Sequence, residues 1–239
     1  MRSQWECLLE NLGCWQGSFT RLSPKGEILE DIPSETSLEL KEDQKTMRQV
    51  VRRFYDGQPQ DLVLEYRSLN KSIILFENGA FSQGAIQFAP FTEFGAEFGL
   101  IFGDRRLRLI PVYNKSSQLE RITLIREHLP QSTTPERPPL TLDQLLGRWE
   151  GESITIFPNW LTPEVKPTVT EWQREGDRAI LFLPDGASLT CPQTINPRQP
   201  FRLSISWLLE PNLHQRMIRT YDQHGEWTNL TLVTERKVG

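Results

Sequence analysis

Arg108 and Arg216 are the side chains whose setting most calls for a chemical partner. Alternate positions from each are mostly apolar: Arg108, Ile110, Val112 and Arg216, Ile218, Thr220. Alternate residues of a strand share a face, so each arginine is expected to point with its apolar neighbours. A lone charge buried there is costly. The carboxylate or phosphate of a ligand, an internal Glu or Asp, or solvent at a rim would relieve it. Seven of the twelve phenylalanines fall between Phe76 and Phe102, and within AIQFAPFTEFGAEFGLIF (residues 85–102) they are mixed with Gly and Ala. Large rings facing small residues can leave a cavity for a flat or greasy molecule, or can fill a core. The candidate ligand-binding set is therefore Arg108, Tyr113, Phe76, Phe81, Phe88, Phe98 and Phe102, with Arg216 as the counterpart of Arg108.

No catalytic centre emerges. Cys14 adjoins Trp15 and Cys191 precedes Pro192, with no histidine nearby in sequence. Three cysteines at irregular spacing give neither a disulfide framework nor a zinc pattern, and read as reduced thiols. His128, His214 and His224 show no HxH or HExxH spacing, so no metal site is expected. No glycine-rich loop follows a strand and opens a helix, as phosphate cradles require. Most Glu residues stand in polar or turn contexts and read as solvated.

The elements that position these residues come in two copies. RMIRTYDQHGEWTNLTLVTER from Arg216 lies 108 positions after RLIPVYNKSSQLERITLIREH from Arg108. Arg108/Arg216, Ile110/Ile218, Tyr113/Tyr221, Thr123/Thr231, Leu124/Leu232 and Glu127/Glu235 recur without a gap. Ser3-Gln4-Trp5-Glu6 and Thr141-Leu142-Asp143-Gln144 both fit a helix-opening capping box. Each helix ends at a glycine two residues before a tryptophan, Trp15 and Trp149. Between the halves, PQSTTPERPP (residues 130–139) carries four prolines and reads as a semi-rigid linker. Domains are expected at 1–130 and 140–239, joined by a Pro-rich linker at 131–139.

After each tryptophan the chain reads as short strands broken by Asp56-Gly57, Asn78-Gly79, Asp185-Gly186 and His224-Gly225, dipeptides that favour tight hairpins. Trp15 to Ile74 spans 59 positions and Trp149 to Ile180 spans 31. Half one thus holds 59 − 31 = 28 more residues, enough for one hairpin, and a larger barrel is expected first.

A capped helix, Gly-x-Trp on the first strand and successive hairpins resemble the lipocalin (calycin) superfamily. The resemblance implies an all-β protein of two tandem antiparallel lipocalin-like β-barrels, each opened by a short helix. In lipocalins the tryptophan packs at the barrel base beneath an arginine from a late strand. That implies Trp15 with Arg126 and Trp149 with Arg236. The doubled plan and LGCWQGSFTRLSPKGE (residues 12–27) resemble a family of uncharacterised proteins of cyanobacteria and plastid-bearing organisms, a domain-of-unknown-function family with two lipocalin-like domains. More distantly the chain is similar to S-type phycobilin lyases and fatty-acid-binding proteins, which brings in a bilin or a fatty acid as ligand. Nitrobindin-like barrels hold haem through one histidine, a reading that needs His214 or His128 to point inward.

The net charge of −4 shows no broad basic face of the kind nucleic-acid binders carry. No apolar run is long enough for a membrane span, and Glu6 and Glu10 make the N-terminus a poor signal peptide. A cytoplasmic or stroma-like location, not secretion, is expected. The functional expectation is binding of a small apolar or amphipathic molecule in the first barrel. The alternatives are an interaction or assembly protein with filled barrels, or a chromophore-lyase-like enzyme or isomerase on the same scaffold.

Overall fold

Ser3 and Thr141 each open a helix about one turn long. The computed structural model describes residues 2–159, 163–174 and 180–238. In α1 (Gln4–Leu8) the Glu6 backbone N–H donates to Ser3 Oγ at 3.2 Å, and the Ser3 N–H donates back to Glu6 Oε2 at 2.7 Å. In α2 (Leu142–Leu145) the Thr141 N–H donates to Gln144 Oε1 at 2.8 Å. The chain then turns into a strand through Gly13 (φ +129°) and Gly147 (φ +108°), left-handed values that favour glycine.

The rest is strand. β1 (Gly13–Leu22), β2 (Ile28–Leu40), β3 (Met47–Tyr55), β4 (Gln58–Tyr66), β5 (Ile73–Leu75), β6 (Phe81–Gly84), β7 (Phe94–Phe102), β8 (Arg105–Tyr113) and β9 (Leu119–His128) form one antiparallel sheet. Its order is β4-β3-β2-β1-β9-β8-β7-β6-β5. β10 (Gly147–Ile156), β11 (Glu164–Trp172), β12 (Ile180–Phe182), β13 (Ala187–Thr190), β14 (Phe201–Glu210), β15 (Leu213–Tyr221) and β16 (Trp227–Val238) form the second, in the order β11-β10-β16-β15-β14-β13-β12. The two orders correspond strand for strand once the β3–β4 hairpin is removed. That hairpin accounts for the 28-residue surplus of half one. The protein is all-β, in two curled half-barrel sheets; among the described residues no pairing joins β4 to β5 or β11 to β12. Gly17 and Gly151 mark the tightest crossing. A Cβ on Gly17 would stand 1.8 Å from the Arg126 carbonyl oxygen, and one on Gly151 2.0 Å from that of Thr234.

Alternation along each strand decides where the core sits. On β8, Leu107, Leu109 and Tyr113 share one face, Arg106 and Arg108 the other. The first face belongs to a continuous apolar cluster that also holds Leu203, Ile205, Met217 and Tyr221 of half two. The two sheets therefore pack through their convex faces around one shared core. Backbone bonds add to the contact: Phe88 N–H to Gly225 O at 2.8 Å, Trp227 N–H to Ile86 O at 2.9 Å, and Leu119 N–H to Gln193 O at 2.9 Å. Arg219, fully buried, donates from half two to Ser82 Oγ and to the Gly84 and Ala85 carbonyls. The Pro-rich segment is fastened to both halves. Arg105 donates to the Thr134 carbonyl at 2.9 Å, and the Arg137 N–H donates to Asp185 Oδ1 at 2.9 Å.

Candidate functional site

Because the convex faces are joined, the concave faces are what each half presents to a ligand. Cup one, about 300 Å³, lies within the curl of the first sheet. Leu38, Leu64, Tyr66, Ile73, Leu75 and Phe81 wall it, and Arg106, Arg108 and Glu97 line its polar side. The extra hairpin supplies Gln49, Leu64 and Tyr66 to this wall. Tyr66 Oη donates to Gln49 Oε1 at 3.2 Å, and burial pushes the Tyr66 phenol above its ordinary range.

The partner of Arg108 is internal. Its Nε and Nη2 donate to the two oxygens of Glu127, at 3.1 and 2.9 Å, and its Nη1 to Glu97 Oε1 at 2.8 Å. Arg106 Nε donates at 2.7 Å to Glu127 Oε2, the oxygen that also accepts from Arg108 Nε. Burial alone would raise the Glu127 carboxyl, but Arg106 and Arg108 outweigh it and hold the group down to about 2. Two arginines thus face two carboxylates, and the floor is neutral. Arg106 Nη2 is buried and has no hydrogen-bond partner among the described residues.

The expected phenylalanine-lined cavity is a correction. Phe76, Phe88 and Phe98 point to the shared core, not into cup one. Phe88 packs edge-on against Phe94 (5.4 Å) and Phe201 (5.7 Å) across the two halves. Tyr113 is buried there too and donates to the Pro192 carbonyl at 2.7 Å. Phe102 packs partly against the core. Only Phe81 and Arg108 of the half-one candidates line cup one. Parity is the reason: Phe94, Ala96 and Phe98 occupy the face of β7 opposite Glu97.

The tryptophan partners are a second correction. Trp15 and Trp149 are buried, with their indole N–H groups capping the helices at Asn11 O (3.0 Å) and Leu145 O (2.6 Å). The cation over Trp15 is Arg106, at 4.5 Å. Arg126 pairs opposite Ser18 and lies on the other face, donating to Thr20 Oγ1 (2.9 Å) and Glu136 (2.6 Å). Over Trp149 stands Lys237 Nζ at 5.5 Å. Arg236 pairs opposite Glu150, one residue out of phase with Trp149, and reaches Glu210 at 3.9 Å.

Cup two, about 480 Å³, occupies the equivalent curl of the second sheet. Thr170, Trp172, Ser188, Thr190, Ser204 and Ser206 line it together with Arg202 and Arg216. Arg216 Nη2 donates to Glu235 Oε1 (3.0 Å) and Thr170 Oγ1 (2.8 Å). His214, in the place of Arg106, is buried between Trp149 and Trp172, with ring centroids 5.5 and 6.0 Å away. Neither ring nitrogen has a partner among the described residues, and Glu235 Oε2 stands 4.0 Å from Nδ1. Burial first, and Arg216 second, hold the imidazole down to about 3, so it is neutral at pH 7. His214 does point inward, as a haem ligand would, but the two indoles enclose it. His128 bonds its neighbouring carbonyl and His224 lies in the β15–β16 turn. Among the described residues no cluster of three or more His, Cys, Asp or Glu is placed to hold a metal, and no helix is long and apolar enough to cross a membrane.

Residues 1–132 match the family profile described as "Domain of unknown function (DUF3598), N-terminal". Residues 136–180 and 172–238 match "Biogenesis factor required for ATP synthase 1, C-terminal domain". The crystal structure of a protein with unknown function from the DUF3598 family of Nostoc punctiforme is 38% identical, covers 100% of both chains and superposes with a TM-score of 0.92. An S-type phycobiliprotein lyase of Guillardia theta is 11% identical over 100% of this chain and 94% of its own, with a TM-score of 0.21. A putative thioesterase II of Thermobifida fusca is 6% identical over 61% of this chain and 73% of its own, with a TM-score of 0.16. No curated protein matches.

Proposed function

The chain belongs to the DUF3598 family, and from that premise we propose that it binds a small amphipathic molecule in cup one. The observation that carries this reading is Arg106 Nη2, a buried donor without a partner among the described residues, in a residue lining an open, largely apolar-walled cup. Leaving a buried donor unpaired costs about 1–3 kcal/mol, more when it is charged, and an acceptor on a ligand recovers it. The apolar walls supply the rest of the affinity at roughly 25 cal/mol per Å² covered. Since the floor is already neutral, the head group that fits best is a neutral acceptor such as a carbonyl or amide oxygen. A fatty-acid carboxylate would have to displace Glu97, the one partly exposed acid of the two. Calorimetric titration of the protein with dodecanamide, dodecanoate and a bilin tests this. The amide should bind more tightly than the acid, and Leu64→Arg, a charge set in the cup wall at an exposed position, should weaken every ligand that binds by at least about tenfold, or ~1.4 kcal/mol. If nothing binds at micromolar levels, or if Leu64→Arg leaves binding unchanged, cup one is not the site.

A second reading, a role in assembling other proteins, draws on the name of the family matched by residues 136–238. Its physical support is that, among the described residues, both sheets keep an open edge. β4 exposes Leu62, Val63 and Leu64, and β11 exposes Val165 and Val169, and unprotected apolar edges are templates for a partner strand.

A further inference from the structure

We infer that cup two is a binding site for a small oxyanion, a carboxylate or phosphate, whose charged oxygen takes the position that Glu97 fills in half one. The two halves carry the argument jointly. In the β7–β8 pairing Gly99 stands opposite Arg108, and in the β14–β15 pairing Ser206 stands opposite Arg216. Gly99 and Ser206 are therefore equivalent, and two residues earlier Glu97 is equivalent to Ser204. One strand further out, Phe81 pairs with Gly99 and Ser188 with Ser206, so Ser188 replaces Phe81. Half two has thus exchanged the acid that completes Arg108, and the ring that fills its side of cup one, for two serines.

The consequence shows in the hydrogen bonds. Arg108 Nη1 holds Glu97 at 2.8 Å. Arg216 makes its two bonds through Nη2 alone, and its Nη1 has no partner among the described residues. Its Nε is buried and likewise unpartnered. Five planar N–H donors on a guanidinium favour a second acceptor, and an ionised oxygen makes the strongest such bond. The surroundings supply further donors. Ser188, Thr190, Ser204 and Ser206 line the cup, and Arg202, in phase with Ser204 and Ser206, adds a second positive charge on the same face. Glu171 also borders the cup, but stands out of phase with Thr170 and Trp172 on β11. On this face, two arginines meet the single carboxylate of Glu235, where the floor of cup one balanced two against two.

The proposal stands apart from the ligand of cup one, whose lining it leaves untouched. Its decisive variant is Ser204→Glu, which rebuilds from within the carboxylate that half one possesses. Full-length protein is titrated calorimetrically with malonate and with inorganic phosphate, at ionic strength matched with chloride, and unfolding midpoints are followed in parallel. The wild type is expected to bind one or both probes, malonate more tightly if the natural group is a carboxylate and phosphate more tightly if it is a phosphate. Ser204→Glu should weaken that binding at least tenfold while raising the unfolding midpoint in the absence of anion. Arg216→Gln should abolish binding. The inference is overturned if neither probe binds more tightly than chloride, or if Ser204→Glu folds and binds the probe as the wild type does.

Discussion

Lowering the pH from 7 to 5 should destabilise this protein through one residue, His214. Its folded pKa of about 3 lies below the roughly 6.5 of an unfolded histidine. Between those values the unfolded chain takes up a proton that the folded chain refuses, so stability rises with pH in that window. The contribution is complete above pH 6.5 and drains away as pH falls toward 3. At pH 5 the unfolded chain gains RT ln(1 + 10^1.5), or about 2 kcal/mol. That figure hardly depends on the folded value as long as it stays below about 4. Four surroundings bear on the ring: the Trp149 and Trp172 faces, the Arg216 charge, and Glu235 Oε2 at 4.0 Å. Only the last would favour protonation. The perturbation is His214→Gln, which removes the titrating group and leaves every carboxylate in place. Urea unfolding followed by tryptophan fluorescence at pH 7 and pH 5 gives the comparison. Wild type should lose about 2 kcal/mol more than the variant over that interval. Equal losses, within about 0.5 kcal/mol, would refute the reasoning. Glu235 would then have closed on the imidazolium and kept its pKa near the unfolded value.

Glu127→Gln leaves Arg106 and Arg108 buried against a neutral amide and should destabilise by roughly 3–5 kcal/mol in urea unfolding at pH 7. Truncating Trp149 to alanine empties a fully buried indole site and should lower stability by about 3–5 kcal/mol, read from the unfolding midpoint. Gly17→Ala drives a methyl into the Arg126 carbonyl and should separate β1 from β9, seen as early hydrogen exchange of the amides in both strands.

The repeat and the helix caps were legible because they are local. A capping box, a glycine at positive φ and a hairpin dipeptide each state their own geometry within four residues. The surplus in half one was likewise legible as a length difference, which the β3–β4 hairpin accounts for. What could not be read was which face of each strand turns inward. In a half-barrel packed through its convex side both faces are partly covered, so apolar residues occupy both and alternation fades. β8, Arg105 to Tyr113, is buried on both faces over most of its length. The Phe/Gly/Ala pattern therefore points to a cavity, whereas Phe76, Phe88 and Phe98 belong to the shared core. The same ambiguity put Arg126 over Trp15, although Arg126 and Ser18 are paired neighbours on the opposite face. The partner of Arg108 had a signal in the sequence: Glu127 and Glu235 recur at the same 108-residue offset as Arg108 and Arg216. A charge and its countercharge retained together point to an internal pair before they point to a ligand.

The two faces of the duplicated sheet have been under different constraints, and the substitutions between halves show it. On the convex side the equivalent positions are Phe98 and Ile205, Leu109 and Met217, Tyr113 and Tyr221, Ile122 and Leu230, Leu124 and Leu232. All ten residues belong to the shared core, where dense packing favours apolar groups. On the concave side Arg106 answers to His214, Glu97 to Ser204 and Phe81 to Ser188. Charge, polarity and size all change at these three positions. Arg108 and Arg216, with Glu127 and Glu235, persist on the concave face, so the changes there fall around a retained ion pair. One polar replacement on the convex side is Arg219, which stands where half one has Pro111. It is fully buried without a carboxylate partner among the described residues. Tyr221 Oη, Ser82 Oγ and the Gly84 and Ala85 carbonyls accept from it, and the rings of Tyr221 and Trp227 lie 5.8 and 5.2 Å away. Three of those four acceptors belong to half one, so this guanidinium makes the contact between sheets directional where the apolar core alone would let them slide. With the sheets keyed in that way, each cup lies on the side of its sheet away from the shared core, and the two share no lining residue.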